Sequence, residues 1–440
     1  MNITYINQCL SQGNLADVKL FPHLYRLSTA PFIFEHDFGL KKLPLEPGIL
    51  LIRGARQYGK STWLEQQIVA TIKKFGAGSA FYLNGDYLFD ANDLHEQLEA
   101  LAVSFTKNKT IKRIFIDEIT TIAGWEVVLK RLVDSGVLVD ILVITTGSKA
   151  PELRRGAERL PGRKGKLAKT NYLFTPISYK SFYHACHKKL KTKTLIAYLI
   201  SGGSPIACSE LATQKILPEY VIQLVRDWIE GEIAKIQRHR SALLNIFNVL
   251  FRFGANPVGQ AKLAREANLA NNTVAQGYIE ILHDLGCVIP AFPYDFNKQN
   301  LILRKPCKYH YMNMLVAVAY HPARIRSVEE FLQLPDEQQG IWYEWLIAQE
   351  LQRRAAIQGA EPLQPLAFWQ NKSHEIDFYD MLNKLFIEAK KGSYTPLEFA
   401  WFTKQFNKGK LKVINKNHFE TARIHGLTLE AFLLDDNLSN

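Results

Sequence analysis

The 440-residue chain has no C-x-x-C pair, no cysteine cluster and no apolar run near the length of a membrane span. Its five cysteines (Cys9, Cys186, Cys208, Cys287 and Cys307) stand far apart and are odd in number. That excludes a disulfide framework and fits reduced thiols in a cytoplasm. A membrane helix needs roughly 20 apolar residues, so no membrane partner is expected. The N-terminus lacks a basic region followed by an apolar core, so no secretory leader is expected either. His184-Ala185-Cys186-His187 has no distant partner pair, which argues against zinc. No repeat or low-complexity tract is visible.

What is present is an ordinary folded composition, 47% hydrophobic and 22% charged. The length exceeds one compact core and implies two to four domains. A net charge of +12 points to an anionic partner, with DNA first among the candidates. A solvated basic surface is the alternative.

The densest signal is Gly54-Ala55-Arg56-Gln57-Tyr58-Gly59-Lys60-Ser61, followed by Thr62. It joins the apolar run Gly48–Ile52 to a helix-like segment. Strand, glycine loop and helix with G-x-x-x-x-G-K-S at the turn form a phosphate cradle whose amides point inward. Lys60 would reach the β- and γ-phosphates of ATP, and Ser61 would ligate Mg²⁺.

From 46 to about 150, short apolar strands alternate with helical patterns, which predicts a parallel α/β sheet. Predicted strands are 49–53, 79–84, 113–117 and 141–146. Predicted helices are 61–75, 92–106 and 125–135. The third strand ends in Asp117-Glu118, the Walker B pattern. Asp117 would hold the Mg²⁺ shell, and Glu118 would orient or deprotonate the attacking water. The next strand ends at Thr146-Gly147-Ser148, where Thr146 or Ser148 could sense the γ-phosphate or simply form a turn. The following basic loop offers Arg163 as an arginine for the transition state. A solvated or DNA-touching loop is the alternative.

These motifs, Gly54–Ser61, Phe115–Glu118, Thr146–Ser148 and Leu160–Arg163, occur in this order. Together they resemble a prokaryotic AAA-type ATPase family that carries a fused C-terminal domain. Thr175–Tyr179 and Ser201–Pro205 also resemble this family. Members commonly have Thr-Thr after the loop lysine, and Ser61-Thr62 keeps the metal-ligand hydroxyl here. The resemblance covers most of the chain beyond about residue 20. It implies ATP and Mg²⁺ as cofactors.

Residues 172–252 read as helical, a lid by expectation. From 241 to 318 three helices (242–253, 258–267, 272–285) and an extended pair (287–292, 301–304) predict a winged helix-turn-helix. Asn271 or Asn272 would cap the third helix. Its exposed face (Asn272, Thr273, Gln276, Glu280) is polar but not basic, so a connector or partner dock stands beside DNA reading.

Near the C-terminus a helix carries Glu344. A predicted hairpin carries Asp377 on one strand and Glu388-Ala389-Lys390 on the other. Residues two apart on a strand face the same side, so Glu388 and Lys390 point together. Asp377 and Glu388, with Glu344, would hold Mg²⁺, and Lys390 would serve a scissile phosphate. The pattern resembles the D-x(n)-E-x-K core of PD-(D/E)xK nucleases. Lys404, Lys408, Lys410 and Lys412 add a basic stretch beyond it.

The expected fold class is α/β. The expected plan is a lead segment (1–45), a P-loop parallel-sheet ATPase core (46–170), a helical lid (171–240), a winged helix (241–325) and a restriction-endonuclease-like α/β domain (326–440). The expected function is an ATPase that acts on or senses DNA, coupled to a Mg²⁺-dependent nuclease-like domain. The alternative is a nucleotide-gated switch whose nuclease fold is inactive and docks a partner. A homo-oligomer is compatible with either.

Overall fold

The computed structural model describes residues 3–106, 108–148 and 165–435. The chain divides into two compact units, one of residues 1–33, 37–175 and 356–362, the other of 34–36, 176–355 and 363–440.

The first unit is a five-stranded parallel sheet. Its strands are β1 (Gly48–Arg53), β2 (Ala80–Asn84), β3 (Arg113–Asp117), β4 (Leu142–Gly147) and β5 (Asn171–Leu173). Their order is β2-β3-β4-β1-β5. Strands β1 to β4 are continuous apolar runs because helices cover both faces of a parallel sheet. The helix Lys60–Phe75 buries Trp63, Leu64, Ile68 and Ile72 at helical spacing. The helix Ala91–Ser104 is capped by Asp90, which accepts from the amides of Asn92 and Asp93. The four expected strands and three expected helices match to within one or two residues at each end, whereas β5 lies outside the expected set. Residues 1–33 and 37–45 of the lead segment belong to this unit. Its first helix, Ile3–Gln12, buries Ile6, Cys9 and Leu10. Asn7 pairs its side chain with both backbone groups of Tyr82, at 2.7 and 2.8 Å, and so covers the edge strand β2.

In the second unit, the helices Tyr179–Leu190, Thr194–Ser201, Pro205–Gln214 and Glu219–Lys235 confirm a helical section. Three further helices follow at Arg240–Phe253, Gln260–Glu266 and Asn272–Asp284. Asn271 caps the last, accepting from the amide of Val274.

The expected extended pair is only half right. Strand β6 (Val288–Asp295) pairs over Val288–Ala291 with β8 (Lys308–Tyr311), while β7 (Asn300–Leu301) is two residues long. All four residues of the Lys-Tyr-His-Tyr run of β8 are buried. The hairpin also does not stand alone. Strand β6 pairs in parallel with β9 (Leu366–Gln370), which pairs with β10 (Glu375–Asp380) and so on to β11 (Leu385–Ala389), β12 (Lys410–Ile414), β13 (Phe419–Glu420) and β14 (Ile424–Leu427). The expected boundary at 325/326 therefore cuts a single mixed nine-stranded sheet. A long helix, Asp336–Ile357, carries Glu344.

Candidate functional site

The first site forms where β1, β3 and β4 end side by side. Gly54 is required by space, since a Cβ there would lie 2.7 Å from the carbonyl oxygen of Phe174. Gln57 and Gly59 have positive φ (61° and 100°), which bends the loop into the start of the Lys60–Phe75 helix. Lys60 is buried and folds back on its own loop, donating to the carbonyls of Gly54 at 3.0 Å and Ala55 at 2.9 Å. Burial lowers its affinity for a proton, opposed by the charges of Glu118 and Asp117. An ammonium held by loop carbonyls in a cradle of this shape fits an anionic phosphate chain.

Asp117, also buried, accepts a short hydrogen bond from the Thr146 hydroxyl. The Thr146 hydroxyl in turn accepts from the Glu118 amide at 3.1 Å. Glu118 has a left-handed backbone (φ 49°, ψ 42°), an uncommon position for a residue with a side chain. Gly85 allows that turn: a Cβ at 85 would lie 2.4 Å from the Glu118 carbonyl oxygen. The Glu118 carboxylate accepts from the Ser148 amide and hydroxyl, and Arg56 donates to that hydroxyl at 3.3 Å. Both strand-tip residues named from sequence thus reach the acids, Thr146 binding Asp117 and Ser148 binding Glu118. The part played by Arg56 beyond its loop backbone was not legible, because nothing in its spacing marks it. Arg163 lies outside the described residues.

One turn into the same helix, Glu65 is buried and accepts from the amides of His23 and Leu24 at 3.0 and 2.9 Å. Burial raises its carboxyl to about 7 despite those two donors.

The second site lies in the second unit. Asp377 on β10 and Glu388 on β11 come together as the hairpin predicted. The Asp377 amide donates to Glu388 at 3.2 Å, and the Ala389 amide donates to Asp377 at 2.9 Å. Lys390 pairs with Glu388 at 2.6 Å. A cavity of about 270 Å³ borders Lys390, Lys391 and Lys416 together with Tyr343 and Asn415. Glu344 is buried nearby, but the group between it and Asp377 is an ammonium. Lys308 of β8, 1% exposed, lies 3.5 Å from Glu344, 3.2 Å from Asp377 and in a short bond with Glu375. Among the described residues, no three His, Cys, Asp or Glu side chains form a group suited to a metal ion. Two of the three carboxylates expected from sequence to hold Mg²⁺, Glu344 and Asp377, thus pair with the Lys308 ammonium. Sequence reasoning missed Lys308, Glu375 and His310, since a lysine in a short strand with no nearby motif gives no signal. The basic stretch also divides: Lys404, Lys408 and Lys410 are exposed, whereas Lys412 is buried beside Asp435 at 3.9 Å.

All five cysteines are buried free thiols. Among the described residues, no helix is long and apolar enough to cross a membrane.

The sheet order and the residues at its strand tips define a parallel α/β P-loop domain. In line with this, residues 46–183 match the family described as an AAA domain. The match supports an AAA-type ATPase family for this part of the chain. Over 369 residues the chain is 24% identical to the uncharacterized protein MJ1544 of Methanocaldococcus jannaschii, covering 79% of this chain and 74% of that protein. Among solved structures, the Walker-type ATPase paby2304 of Pyrococcus abyssi overlaps 71% of this chain and 97% of its own, at 12% identity and a TM-score of 0.42. Cdc6p from Pyrobaculum aerophilum overlaps 66% of this chain and 91% of its own, at 13% identity and a TM-score of 0.29.

Proposed function

We propose that this chain binds and hydrolyses ATP with Mg²⁺ and that it acts on or senses DNA. The observation that carries the ATPase reading is the convergence of Lys60, Asp117 and Glu118 at neighbouring strand ends, with Thr146 and Ser148 bonded to the two acids. Gly54–Thr62 would cradle the triphosphate, with Lys60 leaving its loop carbonyls for the phosphate oxygens. Ser61 and Asp117 would hold the magnesium ion, which supplies positive charge to the departing phosphates. Glu118 would orient the attacking water and receive its proton, with Ser148 and Arg56 fixing its carboxylate. Arg163 remains the proposed transition-state arginine, and Thr146 the proposed γ-phosphate sensor.

Support for DNA is electrostatic: the charge of +12 and the exposed Lys404, Lys408 and Lys410. The helices at 240–284 with β6 and β8 have the order of a winged helix. Lys262 and Arg265 on its second helix are exposed, and the third helix presents neutral or acidic side chains.

For the C-terminal part, two readings differ in one property. A PD-(D/E)xK-like nuclease would hold Mg²⁺ at Glu344, Asp377 and Glu388 and set Lys390 at a scissile phosphate. A docking module would share the architecture without cleaving. Lys308 among the carboxylates favours the docking module, and with it a nucleotide-gated switch. The test measures ATP turnover of the wild type, Lys60→Ala and Glu118→Gln with and without duplex DNA, then follows labelled DNA with Mg²⁺ and ATP. Turnover undiminished in Lys60→Ala would end the ATPase reading. Asp377-dependent cleavage would end the docking reading.

A further inference from the structure

The lysine buried among acids on β8 has no role in either reading as drawn from the sequence. We propose that the Lys308 ammonium is the resident cation of the Glu344–Glu375–Asp377 set, so that this nuclease-like core is complete without a divalent metal. The inference deepens the docking reading and rests on it only in treating the domain as nuclease-like.

Geometry carries the argument. An ammonium has three donor hydrogens, and Lys308 Nζ meets three carboxylates, Glu375 in a short bond, Asp377 at 3.2 Å and Glu344 at 3.5 Å. Its donors therefore have partners without any outside group. A magnesium ion sits about 2.0–2.1 Å from its oxygens. A magnesium ion held by Glu344 and Asp377 would have to compete with Nζ for the same carboxylates. Lys308 has little room to withdraw. It is 1% exposed, its backbone is fixed opposite Ala291 in the β6–β8 pair, and its Nζ lies 5.3 Å from the Phe368 ring centroid.

The experiment uses the full chain without nucleotide, carrying Asp117→Asn to remove the phosphate-site carboxylate. Manganese(II) is titrated and the free ion is read by electron paramagnetic resonance, with melting followed in Mn²⁺ and in EDTA. The expected result is no stoichiometric binding below about 100 μM and the same melting temperature in both media. About one equivalent bound at that level, and lost when Asp377→Asn is added, would overturn the inference. Lys308→Met in the same background should melt several degrees lower and should gain a Mn²⁺ site that raises its melting temperature. A Lys308→Met chain as stable as its parent, with no gained site, would also overturn it. If that variant does not fold, the first titration decides alone. Mn²⁺ bound at Asp377 without cleavage of any DNA would sink this inference and leave the docking reading standing.

Discussion

Ser148 holds one oxygen of Glu118 twice, through its amide at 3.2 Å and its hydroxyl at 3.0 Å. The proposed general base is thereby fixed at a backbone position that is itself uncommon. Ser148→Ala removes the hydroxyl bond and keeps the amide. A bond to a charged group contributes about 1.5 kcal/mol, so turnover should fall roughly tenfold at unchanged KM. Glu118→Gln should lower turnover at least about 100-fold with ATP binding retained. Steady-state kinetics of both variants checks the pair.

Among the described residues, Lys60 donates to the Gly54 and Ala55 carbonyls, bonds that the proposed nucleotide would replace. ATP at about 100 times its Kd should stabilise the wild type by about 2.7 kcal/mol. Lys60→Ala should lose most of that gain while melting normally without nucleotide. Thermal denaturation with and without ATP reads it directly.

Glu65 gives a pH dependence with a definite sign. Its carboxyl is raised from 4.5 to about 7 in the folded chain, first by burial. The folded state therefore holds the proton more tightly than the unfolded one. The contribution is fully present below about pH 4.5 and is lost as pH rises to about 7. It amounts to about 3 kcal/mol at most. Glu65→Gln keeps an acceptor for His23 and Leu24 and should flatten the stability profile between those pH values. Urea unfolding at a series of pH values measures the slope.

Glu350 is a buried counter-ion for two guanidiniums. It accepts from Arg353 at 2.8 Å and from Arg354 at 2.5 Å, with all three side chains at most 6% exposed. Burial opposes its charge, but the two arginines keep the carboxyl below its usual range. Glu350→Ala takes the carboxylate from both guanidiniums and should cost about 3–5 kcal/mol. Calorimetry should show it as a loss of many degrees in the second unit.

Exposed and buried lysines of the C-terminal stretch should behave differently. Replacing Lys404, Lys408 and Lys410 with alanine should weaken duplex binding and reduce the salt slope by about three. Lys412→Ala, a buried position, should leave the slope unchanged. Fluorescence anisotropy across a salt series separates the two.

The P-loop unit was legible because its rules are local. Glycines at a strand-to-helix turn, an acid pair ending an apolar strand and hydroxyls ending the next all sit within a few residues of the element that positions them. The C-terminal hairpin was legible for the same reason, since neighbouring strands joined by a short turn bring Asp377 to Glu388; Lys390 lies just past the end of β11. Lys308 was not. It is 36 residues from Glu344 and 69 from Asp377, and only sheet pairing brings it to them. The missed partner of β6 has the same origin. A four-residue strand containing Lys and His shows no apolar alternation, and its burial is decided by tertiary charge pairing. Arg56 illustrates a third limit: its backbone role follows from the motif, but its side-chain bond to Ser148 depends on loop curvature.

The parallel pairing of β6 with β9 has a consequence for inheritance. The three-helix element and the acid-bearing sheet are not interchangeable modules, because one supplies a strand and a counter-charge to the other. Recombination near residue 325 would leave Glu344 and Asp377 buried without Lys308, and β9 without its neighbour. The two halves should therefore have been transmitted together, and a swap of either one should be rescued only by carrying β6 and β8 along.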